Sequence, residues 1–179
     1  MSIIENKIFF ILLSILPLSI VVGPSASLAN ISVIIILYFF IFIKSRHYEF
    51  LYKEKTVRLL FLIYIYLIIN SFISIDYEIG LYRNLGFIRL IFFFVALNYF
   101  LFVSQKNFKI FNIWTVYFII FVIDVYFERF SGANIFGWGS LDETHGTRVV
   151  SFFKDEPIVG AFLNGFIFLI LGYLIMIFK

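Results

Sequence analysis

The chain has 179 residues, of which 63% are hydrophobic and 14% charged, and its mean hydropathy is +1.04, whereas charged residues make up roughly a quarter of soluble proteins. This composition predicts an integral membrane protein in contact with membrane lipids, and the lack of cysteine excludes disulfides, thiolate metal sites and cysteine catalysis. The net charge of +3 does not indicate a nucleic-acid partner, because the basic residues fall mostly between apolar runs, where they act as topology signals.

The first two apolar runs, 8–22 and 28–43, are separated by Gly23-Pro24 and small polar residues. At about 1.5 Å per residue each run reaches only about 22 to 24 Å, which is less than the roughly 30 Å hydrocarbon core. We therefore expect a tight helical hairpin whose turn dips into the membrane. The alternative is a cleaved signal peptide that ends near Ser27-Leu28-Ala29, but a cleaved chain would then begin inside the next span.

Four further apolar runs complete an all-α fold class, a polytopic bundle of about six transmembrane helices. The positive-inside rule places the basic loop 44–58, the second loop around Lys106 and both termini in the cytoplasm. The intervals 76–84 and 128–156 are then outer loops. Because we find no internal repeat or linker, the chain is predicted to be a single membrane domain, residues 1–179. The predicted spans lie near 8–22, 28–43, 59–75, 85–103, 110–127 and 157–178.

Two charged residues lie inside predicted spans. Arg89 is about four residues inside the fourth span and Asp124 about three residues inside the fifth, so both should lie roughly 5 to 6 Å below the outer boundary. Because an unpaired ion in the membrane is unfavourable, we expect the two to meet. The pair is either a structural ion pair, with Arg89 extending to the interface, or an anion site that Asp124 orients.

The predicted outer loop 128–156 interleaves glycines with aromatic residues, a composition typical of a segment that lies in the membrane interface. Its aromatic side chains either anchor the loop in the interface or form a platform for sugar rings, and both readings stay open. Asp142, Glu143 and His145 form an acidic and histidine group, but their spacing matches no metal motif, so we predict no metal site.

The last part of this loop runs directly into an apolar span. Arg148 carries a planar guanidinium that can hold a phosphate through two hydrogen bonds, where a lysine offers only a point charge. The alternative for Arg148 is a solvated loop charge. Asp155 and Glu156, just before Pro157, either favour the start of the next helix through its dipole or have a catalytic role.

Several segments together resemble the bacterial O-antigen ligase and polymerase family. They are PLSIVVGPSASLANISVIII, the region of Arg83 and Arg89, and above all GANIFG followed by RVVSFFKDEPIVGAFL. In that family an Arg, a Phe three to four residues later and a small polar or acidic group precede a span. The resemblance covers the family's first six spans.

The resemblance implies an enzyme of the bacterial inner membrane that takes glycan from a polyprenyl-diphosphate carrier at the periplasmic face. The acceptor would be another glycan or lipid A-core, and guanidinium charge rather than a metal or cofactor would stabilise the leaving diphosphate. Arg148 matches the family's Arg before the motif span, and Arg89 matches a second basic position. The residues predicted to bind the diphosphate are Arg148, Arg89 and Arg83, with Asp124, Asp155 and Glu156 in support.

The chain departs from the family after the sixth span, where relatives have about ten or more spans and an outer loop with a further Arg and a catalytic His. We therefore expect the N-terminal part of a longer architecture and assign no catalytic residue. Two other classes stay open: a flippase-like transporter of polysaccharide or lipid, in which Arg89 and Asp124 line an aqueous path, and a non-catalytic membrane subunit.

The topology makes a direct prediction for a chain that has no native cysteine. Single Ser45→Cys and Ser104→Cys variants should be shielded from an impermeant thiol reagent in intact cells, whereas Ser140→Cys should be labelled. Labelling of Ser45→Cys together with protection of Ser140→Cys would invert the topology.

Overall fold

The computed structural model describes residues 3–45, 54–104, 109–137, 149–153 and 158–178. All regular structure within these ranges is helical, which confirms the predicted all-α class. Five helical stretches there are long and apolar enough to cross a membrane, and a shorter apolar helix follows them. The elements are α1 (Ile3–Val22), α2 (Pro24–Ser45), α3 (Lys55–Ile73), α4 (Tyr77–Gly86), α5 (Ile88–Asn98), a π-helical segment (Tyr99–Ser104), α6 (Lys109–Ser131), a 3₁₀ turn (Ser151–Phe153) and α7 (Val159–Ile177).

The first two helices are longer than the apolar runs that predicted them, because polar residues at their ends continue the helix. They have 20 and 22 residues, which corresponds to about 30 and 33 Å. Each helix is therefore long enough to cross the hydrocarbon core by itself, in agreement with the predicted spans. Gly23 alone separates them, with a φ of +139° that favours glycine, and Pro24 occupies the first position of α2, where its missing N–H is not needed.

α4 occupies nearly all of the predicted outer loop 76–84, so this interval is helical, while its location outside the membrane stays a prediction. Its mixture of polar and apolar residues suits a helix: Glu78 lies in the first turn and Arg83 in the last, where each complements the helix dipole. The reversal after α3 is confined to Ser74, Ile75 and Asp76. From Tyr77 the chain is helical as far as Leu101, except at Phe87, and this whole stretch forms one candidate span.

The chain divides into two compact units. The first contains residues 1–13 and 28–107, and the second contains residues 14–27 and 108–179. Helices α1 and α2 contribute to both units, and the predicted single membrane domain stays a prediction.

The core of the first unit is built from aromatic side chains. Phe9 of α1 stacks on Phe100 at a centroid distance of 5.4 Å, and Tyr38 of α2 meets Tyr99 edge-on at 5.6 Å. Phe9, Tyr38 and Phe100 are all buried. The first residues of the π-helical segment, Tyr99 to Leu101, therefore lie in the core, and aromatic rings supply much of its buried apolar area.

Two polar contacts hold α1 and α2 side by side in opposite directions. The Asn30 side chain donates to the Leu12 carbonyl at 3.1 Å, and Lys44 pairs with Glu5 at 3.2 Å. The Lys44 side chain is 64% exposed, so this ion pair contributes little stability, but it places the end of α2 beside the start of α1. The helical hairpin is thus present, while the depth of its turn in the membrane stays a prediction.

In the second unit α6 and α7 also run in opposite directions. Phe111 stacks on Tyr173 at 4.8 Å near one end, and Phe121 meets Phe162 edge-on at 5.0 Å near the other. Tyr173 also donates from its hydroxyl to the Asn112 side chain at 3.1 Å. These contacts bring the start of α7 beside the last turns of α6, where Asp124 and Glu128 lie.

One polar side chain in the first unit, Asn84, connects α4 to α3. The Asn84 side-chain amide donates to the Ser71 hydroxyl at 2.7 Å and to the Leu67 carbonyl at 3.1 Å. We expect Asn84→Ala to lower the free energy of unfolding by about 1–2 kcal/mol, since two interhelical hydrogen bonds are lost. Thermal unfolding in detergent micelles, followed by circular dichroism, measures this. Asn70→Ala, on the exposed face of α3, is the control, and an equal loss in both variants would contradict the role of Asn84.

Candidate functional site

Two carboxylates lie buried in the last turns of α6. Asp124 and Glu128 are four residues apart, so they lie on the same helical face, and both are 0% exposed. Glu128 was predicted to begin the outer loop, but α6 continues to Ser131, so Glu128 is helical. Two like charges so close together repel each other, and the negative end of the helix dipole adds to the repulsion.

Each of the four carboxylate oxygens accepts a hydrogen bond. Asp124 accepts from the Ile135 backbone N–H at 3.1 Å and from the Ser151 hydroxyl at 2.5 Å. Glu128 accepts from the backbone N–H groups of Val150 at 3.0 Å and of Ser151 at 2.5 Å. These donors replace the water that a buried carboxylate would otherwise need. The two acids therefore attach residues 149–153 to the end of α6.

Ser151 is the residue that both carboxylates share. Its N–H goes to Glu128, its hydroxyl to Asp124, and its carbonyl accepts from the Asn134 side chain at 3.1 Å. Its φ is +50°, a left-handed conformation that costs a residue with a side chain about 1–2 kcal/mol. We name Asp124, Glu128, Asn134 and Ser151 the serine anchor. The three sets of hydrogen bonds keep Ser151 in this strained conformation.

The local sequence explains why the chain turns toward the anchor after α6. Gly132 follows the helix with a φ of +84°, and its N–H bonds to the Glu128 carbonyl at 2.9 Å, which ends the helix in the manner typical of glycine. A turn from Asn134 to Gly137 comes next. The side-chain oxygen of Asn134 accepts from the Phe136 N–H, and the backbone carbonyl of Asn134 accepts from the Gly137 N–H. The motif GANIFG is therefore a helix end followed by a turn.

Phenylalanine rings pack together beside the residues of the serine anchor. Phe152 and Phe153, which follow Ser151, both contact Phe121 of α6, at centroid distances of 5.2 and 6.4 Å. Phe153 also meets Phe162 of α7 at 5.1 Å. Both carboxylates are fully buried, and hydrogen bonds strengthen where water is excluded. The sequence SFF thus places one polar residue, which belongs to the anchor, next to two apolar residues that pack against Phe121.

The predicted diphosphate-binding residues Arg83 and Arg89 are exposed and lie in the last turn of α4 and the first turn of α5. They are six residues apart in sequence, in two helices that meet at Phe87, and their role in binding stays a prediction. Because Arg89 belongs to the first unit and Asp124 to the second, their predicted pairing stays a prediction. The other predicted or considered site residues lie outside the described part of the chain: Arg148, Asp155, Glu156, Asp142, Glu143 and His145.

Three members of the anchor were not among the predicted site residues: Glu128, Asn134 and Ser151. One signal was available for Glu128, since DVYFE places two acids one helical turn apart in an otherwise apolar run. Nothing in the local sequence distinguishes Ser151 from a surface serine. Within the described ranges no group of three or more His, Cys, Asp or Glu residues is placed to hold a metal ion.

Comparison with models of protein families, with curated proteins and with solved structures finds no match to this chain.

The two carboxylates face different donors, so their amide variants should behave differently. In Asp124→Asn the Ser151 hydroxyl can rotate and accept from the new amide group, but in Glu128→Gln the amide group faces a backbone N–H that cannot rotate. We expect Glu128→Gln to lower the free energy of unfolding by about 1–3 kcal/mol more than Asp124→Asn.

Both substitutions remove one charge, so the comparison isolates the hydrogen bonds. Thermal unfolding of the two variants in the same detergent measures the difference, with Glu78→Gln, an exposed carboxylate on α4, as the control. Equal losses from the two anchor variants would show that the backbone donors do not decide the stability.

Proposed function

We propose that this protein belongs to the machinery of bacterial surface polysaccharide assembly, in the manner of an O-antigen ligase or polymerase. It transfers or polymerises glycan from a polyprenyl-diphosphate carrier at the periplasmic face of the inner membrane. The observation that carries this proposal is the serine anchor. It attaches residues 149–153 to α6, and these residues immediately follow Arg148 in the segment RVVSFFKDEP, on which the family resemblance mainly rests.

The reaction is a displacement at the anomeric carbon of the donor sugar. An acceptor hydroxyl oxygen forms a bond to this carbon while the bond from the carbon to the diphosphate oxygen breaks, and the polyprenyl diphosphate leaves with the electron pair. The hydroxyl proton passes to a general base, to which no residue is assigned. Guanidinium groups lower the energy of the transition state because negative charge develops on the diphosphate.

An arginine is better suited than a lysine to this task. The planar guanidinium forms two parallel hydrogen bonds to phosphate oxygens, which fixes the orientation of the diphosphate as well as neutralising it. Arg148 is the residue proposed for this role, with Arg83 and Arg89 as the further basic positions.

The described residues give less support to the flippase-like alternative. That alternative needs Asp124 to line an aqueous path, yet Asp124 is 0% exposed and both of its oxygens accept hydrogen bonds from the chain itself. A carboxylate in an aqueous path would keep part of its surface open to water. The anchor therefore favours a structural use of this acid near a binding site over transport.

The proposal predicts that Arg148→Lys loses most glycan transfer while the protein still inserts at normal levels, and that Arg148→Ala transfers no more. Lysine conserves the charge but not the fork geometry. The measurement is glycan transfer from a purified polyprenyl-diphosphate-linked donor, normalised to the amount of protein in the membrane.

Arg58→Lys, an exposed position in the first turns of α3, is the matched control. A solvated loop charge at position 148 would instead tolerate both changes, typically within about 0.5 kcal/mol. Near-normal transfer by both Arg148 variants would therefore remove the main support for an enzyme.

A further inference from the structure

The chain folds back along α6 after this helix ends at Ser131. Ile135 donates its backbone N–H to the Asp124 carboxylate at 3.1 Å, although Asp124 lies well before the end of the helix. At 1.5 Å per residue, the distance from Ser131 back to Asp124 along the helix axis is about 10 Å. The turn 132–137 therefore lies beside the last two turns of α6 and does not extend away from them.

The segment 149–153 lies at the same level of the helix. Its Phe152 packs against Phe121 of α6, about one helical turn before Asp124, at a centroid distance of 5.2 Å. Phe136, in the turn, packs against Phe152 at 5.6 Å. This level belongs to a helix that is long and apolar enough to cross a membrane. Two irregular segments thus return to a part of α6 that is predicted to lie inside the membrane.

The backbone N–H groups of the turn bind acceptors of the chain itself. The N–H groups of residues 135–137 bind, in order, the Asp124 carboxylate, the side-chain oxygen of Asn134 and the Asn134 carbonyl, at 3.1, 3.0 and 2.9 Å. Unpaired N–H groups keep a turn in water, because hydrocarbon offers them no acceptor. For these three N–H groups the protein has replaced the water.

The turn also presents apolar side chains outward. Ile135 is 56% exposed and Phe136 is 65% exposed. Exposed side chains of α6 at this level, such as Ile123 and Phe127, are apolar as well. Side chains of this kind are more favourable in hydrocarbon than in water. The turn therefore continues the apolar outer surface of the helix.

We propose that the turn 132–137 inserts into the edge of the acyl-chain region of the membrane, where Ile135 and Phe136 contact lipid. Asp124 and Asn134 make this insertion possible, because they bind the N–H groups that would otherwise need water. A platform for sugar rings, the other use of aromatic side chains in this region, would instead keep Phe136 in contact with water. The insertion does not depend on the activity proposed above.

Spin labels measure the depth of the turn directly, because the chain has no native cysteine that must first be replaced. Single Phe136→Cys, Ile123→Cys and Phe130→Cys variants of the full chain are labelled and reconstituted into phosphatidylcholine vesicles. The depth of each label follows from its collisions with oxygen, which concentrates in the acyl chains, and with a water-soluble nickel chelate. Ile123 and Phe130 are exposed and lie about 10 Å apart along α6, so they calibrate the depth.

We expect the label at position 136 to lie closer in depth to the label at position 123 than to the one at position 130, and to collide mainly with oxygen. A depth closer to that of position 130, or free access of the nickel chelate, would overturn the proposal. So would a label that neither reagent reaches, because protein and not lipid would then cover the turn.

The part played by Asp124 is tested by a matched pair of substitutions in the Phe136→Cys background. Asp124→Asn keeps a side-chain oxygen for the Ile135 N–H, so the label should keep its depth. Asp124→Leu has a similar volume but no acceptor, so the label should move toward the depth of position 130.

The label at position 123, measured with the same two substitutions, shows whether α6 itself stays inserted. An unchanged depth at position 136 in Asp124→Leu would show that Asp124 is not needed to hold the turn in the membrane. The depth in the parent chain decides the insertion by itself, whatever the folding of these two variants.

Discussion

The structure of the second unit depends on one constraint: two carboxylates that are buried in the last turns of an apolar helix must each find hydrogen-bond donors within the protein. Asp124 and Glu128 are 0% exposed, and burial of an ionised group without partners is among the largest penalties a fold can incur. The donors come from Ile135, Val150 and Ser151. The positions of Ile135, Val150 and Ser151 are therefore set by the need to supply donors to the two acids.

This constraint also explains the unusual conformations nearby. Gly132 and Gly137 have positive φ, which costs glycine little, whereas Ser151 takes a positive φ at a real cost. A glycine at position 151 would avoid the strain but would lose the hydroxyl that Asp124 binds. In an apolar environment, irregular backbone persists only where its polar groups have partners within the protein, and here the two acids are those partners.

The interpretation of Asp124 changes once its contacts are known. As an isolated acid inside a predicted span, it suggests a partner for Arg89 or a group in an aqueous path. With Ile135 and Ser151 as its partners, it is part of a device that holds a chain segment.

The sequence by itself determined the class of the protein: its composition and apolar runs indicated a helical membrane protein of about six spans, because a span needs only length and hydrophobicity. It located the break at Gly23-Pro24 and singled out Asp124 as an acid inside a span. It placed Glu128 and residues 76–84 in loops, because polar residues that continue a helix look like loop residues when their partners are not known. Only the tertiary structure decided that Ser151, a serine among many, joins Asp124 and Glu128. Ser151 lies 27 positions after Asp124 and 23 positions after Glu128 in the sequence. No periodicity or local propensity encodes which distant donor will bind a buried acid.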